Sequence, residues 1–293
     1  MRLILGTRGS TLAQGQSTLI ADALRALGHE VELEIIVTRG DREQHKPVPQ
    51  LGGKGLFTAE LEEALRDRRI DLAVHSLKDL PTEEEAGLII GCIPEREDPR
   101  DALVAATSLA QLEAGARVGT ASLRRRAQLR RARPDLSVVD LRGNVDTRIK
   151  KVTDGELEGV VLAAAGLHRI GRADVIREYL DFLPAPAQGA LALQTHAERT
   201  DVHAALAPLH HEGTAACTTA EREMLRVLEG GCSVPVGALA RRFDDGLQLY
   251  GMVAAPDGSE FLRAHAEGDD PIALGRAVAA ELLDLGAKEI LDA

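Results

Sequence analysis

Leu3-Ile4-Leu5, followed by Gly6-Thr7-Arg8-Gly9-Ser10 and then by the long segment Thr11 to Leu27, sets the fold class. The three apolar residues read as a buried strand and the next five as a turn. The long segment has apolar residues at helical spacing and stops at Gly28, a residue suited to the left-handed position that ends a helix. Strand, turn and helix in that order make a βα unit. Further along, Val31 to Val37 reads as a strand, Leu56 to Arg68 has helical periodicity, and Ile70 to Val74 is another strand with polar residues directly after it. This alternation predicts an α/β architecture with helices covering a sheet.

Two proline-rich stretches, Pro94 to Pro99 and Leu183 to Gly189, read as interdomain linkers and bracket a second α/β unit. Within it, Arg117-Val118-Gly119-Thr120 leads into a helix from Ser122, and Leu136 to Leu141 and Gly159 to Ala164 read as strands. After residue 213 come a helix to Leu228, short strands between 234 and 265 and a helix from Pro271 to Leu285, the pattern of a small α+β domain. No internal repeat or low-complexity segment is visible.

At 293 residues the chain exceeds what one hydrophobic core usually organises. Hydrophobic residues at 44% and charged residues at 28% fit a globular protein, and no apolar run approaches the roughly 20 residues of a membrane helix. The first residues lack the apolar core and cleavage site of a signal peptide, so a cytoplasmic location is expected. Three cysteines, Cys92, Cys217 and Cys232, leave at least one thiol outside any disulfide. The net charge of −11 conceals a basic stretch: residues 117 to 151 hold eleven Arg and Lys against three Asp, a balance of +8. A local basic field on an acidic chain favours a site for small or polymeric anions. With 2% aromatic residues and no Trp, the chain lacks the stacking platforms of a single-strand nucleic-acid binder.

Several constellations could carry chemistry. His75-Ser76-Leu77-Lys78-Asp79-Leu80-Pro81 follows an apolar strand, where open α/β sheets place ligand contacts, so Asp79 is a candidate acid, base or electrostatic stabiliser; a solvated loop is the plain alternative. Leu51 to Phe57 is glycine-rich but lacks the spacing of a phosphate loop, leaving a turn that could lay Lys54 over an anion. Ser122 can cap the helix bearing Arg124 and Arg125, and Arg142-Gly143-Asn144 to Arg148 repeats that arrangement. Helix N-termini with arginine forks suit carboxylates. His196, His203, His210 and Cys217 recur every seven residues, but Pro208 and Gly213 interrupt any helix through them, so a metal face is not expected. Cys232 follows Gly230-Gly231 on a segment whose backbone would tolerate a bulky adduct.

The run from Glu221 to Gly237 resembles the cofactor-attachment signature of the porphobilinogen deaminases, with Cys232 as the attachment cysteine. Arg8-Gly9-Ser10, Gly52 to Phe57, His75 to Pro81, Asp98 to Asp101, Ser122 to Arg125 and Leu141 to Arg148 occur in that family's order over nearly the whole chain. Gln50, Ala187 and Gln194 depart from it, standing where Lys, Gly and an acidic residue are common.

The resemblance implies three domains: 1–93 with 191–208, 98–186, and 213–293. The first two would be lobes like those of type II periplasmic binding proteins with a cleft between them, and the third would carry the cysteine. It implies condensation of four porphobilinogen molecules to hydroxymethylbilane, primed by a dipyrromethane on Cys232. Asp79 would be catalytic. Lys78, Ser122, Arg124, Arg125, Arg142, Gly143 and Arg148 would contact the cofactor, and Arg8, Ser10, Lys54, Arg169 and Gln188 the substrate. The implied protein is a monomer that needs no metal, nucleic acid or membrane. A non-catalytic two-lobed anion-binding module is the alternative, and it would need no thiol at Cys232.

Overall fold

The computed structural model describes residues 1–42, 58–83, 85–228, 234–243 and 246–292. Gln50, the glycine segment with Lys54, and Cys232 lie outside the described residues. The chain begins with β1 (Arg2–Thr7), α1 (Thr11–Ala26), β2 (Glu30–Ile35), α2 (Arg39–Arg42), α3 (Ala59–Arg66), β3 (Leu72–Ser76) and β4 (Leu88–Cys92). It continues with β5 (Asp101–Ala105), β6 (Arg117–Gly119), α4 (Leu123–Ala132), β7 (Ser137–Val139), α5 (Val145–Thr153), β8 (Gly159–Ala163), α6 (Ala164–Arg169) and β9 (Glu178–Leu180). Then follow β10 (Leu191–His196), α7 (Thr200–Leu206), α8 (Glu212–Val227), β11 (Val236–Phe243), β12 (Gly246–Ala254), β13 (Phe261–Gly268), α9 (Pro271–Asp284) and α10 (Ala287–Asp292).

The class is α/β, and the opening βα unit shows why. Ser10 caps α1 by accepting a hydrogen bond from the Ala13 amide (3.3 Å), and Gly28 takes the left-handed conformation (φ 87°) just beyond its end. Ile20, Ala21 and Leu24 of α1 pack with Leu3 and Leu5 of β1 and with Leu193 of β10. The opposite face of this sheet is covered by Leu61 and Leu65 of α3.

Two compact units are present: Met1–Arg96 with Ala190–Ala215, and Glu97–Gly189 with Ala216–Ala293. The first contains a sheet of order β2-β1-β3-β10-β4, the second a sheet of order β7-β6-β8-β5-β9. In the first, β1 runs parallel to β2 and β3 while β10 runs antiparallel to β3 and β4. In the second, β6 is parallel to β7 and β8 while β5 is antiparallel to β8 and β9. One topology is thus used twice, with the antiparallel strand following a proline-rich segment each time. Sequence reading finds no repeat because strand order depends on apolar patterning rather than on residue identity.

The second unit also holds the antiparallel sheet β11-β12-β13. One face packs Leu249 and Val253 against Met224 of α8 and Val278 and Leu282 of α9. On the other, Met252 and Ala254 pack on Ala127 of α4. Three local expectations change. β3 extends through His75 and Ser76, beyond the expected end of the strand at Val74, because pairing with β10 continues to Ser76↔Leu191. β7 is shorter than the expected Leu136 to Leu141, and β4 and β5 were not anticipated beside the linkers.

Candidate functional site

In the first unit the candidate side chains gather where parallel strands end. β1 and β3 are adjacent and parallel, so the turn with Arg8 and Ser10 and the turn with Lys78 and Asp79 leave the same edge of the sheet. Asp79 closes a single 3-10 turn, Leu77–Asp79, and its side chain is exposed. That turn is held from behind: Leu77 is fully buried, its amide donates to Ala190 O (3.0 Å), and Gln16 Nε2 donates to Ser76 Oγ (2.9 Å). The site candidate is therefore a solvent-facing carboxylate on a short, anchored turn.

In the second unit the carboxyl ends of β6, β7 and β8 carry Ser122, Arg142 with Gly143, and α6, which ends in Arg169. Ser122 caps α4 by accepting from the Arg125 amide (3.4 Å), and Asn144 caps α5 by accepting from the Thr147 amide (2.8 Å). Two helix N-termini thus open on this edge, each with a residual positive dipole. Gly143 has φ 107°, and a Cβ there would come within 3.0 Å of Thr147 Cγ2, so the turn requires glycine. Arg142 is exposed, while Arg148 is half-buried and its Nε donates to Gly143 O (2.8 Å).

Arg124, Arg125 and Gln188, expected to meet cofactor or substrate, gather on Asp101. Arg124 Nη1 lies 2.7 Å from Asp101 Oδ2 and also donates to Leu183 O (2.7 Å). Arg125 donates through Nε to Asp101 Oδ1 (2.9 Å) and through Nη1 to Val161 O (3.0 Å). Gln188 is fully buried, with Nε2 donating to Pro99 O (2.7 Å) and to Asp101 Oδ1 (2.8 Å). Guanidiniums at this depth need a carboxylate, and Asp101 supplies it. Burial would raise the Asp101 carboxyl, but Arg124 and Arg125 outweigh it and hold the group well below the usual range. The set fastens both proline-rich segments to the second sheet.

Arg169 is different. Its Nη2 donates to Gly189 O (2.6 Å), but its buried Nε has no acceptor among the described residues, and burial lowers the guanidinium to about 10. On the helix that follows β8, Arg169 Nε is a buried donor suited to an anionic group such as a carboxylate.

Three buried polar residues, Asp101, Gln16 and Glu221, are not among the site candidates that the sequence offers. Glu221 is fully buried and accepts from the Ala187 amide (2.6 Å) and the Ala240 amide (2.8 Å). The available signal was polarity at positions where helical periodicity calls for apolar side chains: Gln16 shares the buried face of α1 with Ile20 and Leu24. The histidines of the seven-residue series go to separate local contacts, His203 to Thr195 Oγ1 (3.0 Å) and His210 to the Ile93 amide (3.1 Å).

Comparison with known proteins is consistent from end to end. The family profile described as "Porphobilinogen deaminase, dipyromethane cofactor binding domain" matches residues 3–204, and "Porphobilinogen deaminase, C-terminal domain" matches residues 215–284. A porphobilinogen deaminase of Mycobacteroides abscessus is 52% identical over 303 residues, covering 98% of each chain. One of Syntrophobacter fumaroxidans is 48% identical over 297 residues, covering 98% of this chain and 96% of its own. Among solved structures, the methionine-binding protein MetQ aligns with TM-score 0.44 and 13% identity over 68% of this chain and 85% of its own.

Proposed function

Since this chain belongs to the porphobilinogen deaminase family, we propose a division of labour among its residues for that family's reaction. The enzyme is a transferase of tetrapyrrole biosynthesis that joins four porphobilinogen molecules into hydroxymethylbilane with release of ammonia, and its cofactor is dipyrromethane. When bound, the dipyrromethane supplies the free pyrrole carbon to which rings are added.

Asp79 does the electrostatic work. Breaking the bond between the aminomethyl carbon of porphobilinogen and its nitrogen releases ammonia and leaves positive charge shared with the pyrrole nitrogen. A carboxylate accepting a hydrogen bond from that N–H stabilises the charge as it forms. The exposed position of Asp79 on an anchored turn supports this role. The same carboxylate can take up the proton lost when the pyrrole regains aromaticity.

The remaining polar residues hold carboxylates. Each porphobilinogen brings an acetate and a propionate, so charge accumulates as the chain grows. Ser122, Arg142, Gly143, Arg148 and Lys78 are assigned to the cofactor, and Arg8, Ser10, Lys54 and Arg169 to incoming substrate. Arg124, Arg125 and Gln188 act through Asp101, positioning the start of α4 rather than touching a ring.

Cys232 is assigned the attachment. Cys92 and Cys217 are buried in apolar cores, and burial pushes the Cys92 thiol up to about 12, so neither offers an accessible thiolate. We read the chain as three domains acting as a cytoplasmic monomer without nucleic acid or membrane. None of its described helices is long and apolar enough to cross a membrane.

The observation that carries this reading is the end-to-end family match at about half identity, together with the buried Arg169 Nε, which has no acceptor among the described residues. Intact-protein mass after denaturation tests it. The wild-type chain is expected to carry the mass of a dipyrromethane and Cys232→Ser to lack it. Active wild-type protein of unmodified mass would overturn the attachment. Protein that binds porphobilinogen without releasing ammonia would return the anion-binding module to consideration.

A further inference from the structure

Behind the Asp79 turn lies a buried polar chain that the reaction described above does not use. His75 on β3 and Gln194 on β10 occupy one face of the first sheet, since Ala73 pairs with Gln194 and His75 with Ala192. His75 Nε2 donates to Gln194 Oε1 (3.1 Å), and the Gln194 amide in turn donates to the carboxylate of Glu62 on α3. All three side chains are buried, at 5 to 6% exposure. Such groups are kept inside a sheet only when their hydrogen bonds are satisfied.

The order of donors and acceptors is fixed. Glu62 can only accept when ionised, Gln194 accepts through oxygen and donates through nitrogen, and neutral His75 has one N–H to give. We propose that His75 is a positioning residue for Asp79: through Gln194 to Glu62 it ties the end of β3, from which the catalytic turn departs, to α3. The amide at position 194 is the one member that must both accept and donate. This rests on the role given to Asp79 above.

The charged groups around the chain support a neutral imidazole. Arg8, on the turn after β1, is the cation felt by His75, and it acts with burial against protonation. At the other end Glu62 feels Arg66 and Glu85, which are paired with each other at 2.8 Å. A carboxylate at 194 could not donate and would stand against Glu62. Either a proton shared between the two acids or an imidazolium at 75 would then be required, and the turn would become dependent on pH.

The test uses cofactor-loaded enzyme, with cofactor mass and denaturation midpoint measured for each variant. In wild type the His75 ring proton signal, identified as the one missing from His75→Asn, should not titrate between about pH 5.5 and 8. In Gln194→Glu a titration should enter that range, and the single-turnover rate should acquire an inflection at the same pH. His75→Phe should slow single turnover about tenfold while KM stays within about twofold, the signature of a misplaced reacting group. His75→Gln should recover part of that rate.

A wild-type His75 that titrates near its ordinary value, or a Gln194→Glu enzyme with a flat profile, would overturn the proposal. So would His75→Phe at wild-type speed; should that variant fail to fold, the near-isosteric Gln194→Glu decides. A slow Asp79→Asn beside a normal His75→Phe rejects this inference alone. Asp79→Asn at wild-type speed rejects the role of Asp79 itself.

Discussion

Asp101 Oδ2 lies 2.7 Å from Arg124 Nη1, and both side chains are almost wholly buried. Arg125 reaches the other oxygen of the same carboxylate, its Nη2 2.8 Å from Oδ1. Two cations therefore share one anion, and the Nε of Arg124 has no acceptor among the described residues. Removing the carboxylate would leave both guanidiniums buried without a counter-charge. Asp101→Asn is expected to destabilise the protein by about 3–5 kcal/mol, read as a shift in denaturant midpoint. A shift no larger than that of a surface Asp→Asn control would show that water reaches the pair.

Acid should weaken the protein in two separate steps. Burial lowers His75 from its ordinary 6.5 to about 4, so its neutral form contributes stability that is complete above pH 6.5 and is lost as pH falls towards 4. The loss from this group approaches about 3 kcal/mol. Glu223, lowered to about 2 by its hydrogen bond from Arg226 and then by Arg276, gives way only below the ordinary carboxylate range. Glu62 is raised by burial and has the opposite sign: its contribution is present at low pH and fades as pH rises. Denaturant midpoints against pH for wild type and His75→Gln isolate the histidine, and the variant should have the shallower slope between 6.5 and 4. Equal slopes would assign the acid sensitivity elsewhere.

Ala187 occupies the left-handed region, φ 62°, while fully buried and donating its amide to Glu221 Oε2 at 2.6 Å. A side chain in that conformation costs about 1–2 kcal/mol, a strain that glycine would relieve, offset in part by the greater entropy of its unfolded chain. Ala187→Gly should raise stability by about 0.5–1 kcal/mol, measurable as a higher thermal midpoint. A lower midpoint would mean that the Ala187 methyl packs better than its backbone suffers.

Asp79→Asn keeps the size of the side chain and removes its charge. In the role proposed for Asp79 the benefit is concentrated in the cationic transition state, so single-turnover addition of porphobilinogen to loaded enzyme should slow by about a hundredfold or more, with binding little changed. Asp79→Glu should retain more activity than Asn but less than wild type. Near-normal rates in correctly loaded Asp79→Asn would move the search to another carboxylate.

Local order decided what could be read from the residues alone. The βα opening, the cap at Ser122 and the cysteine after two glycines depend on neighbours within a few positions, and the family's motifs are local in the same way. Tertiary structure decided the direction in which polar side chains point. Arg124 and Arg125 read as anion contacts because they begin a helix, yet their carboxylate is 23 and 24 residues away and Gln188 joins the same carboxylate from 87 residues away. From sequence the strand ends before His75, which is polar after an apolar run. It lies inside the strand because Gln194, 119 residues further on, satisfies it. A buried polar group is stable only beside its partner, and partners brought together by sheet pairing leave no trace at short range.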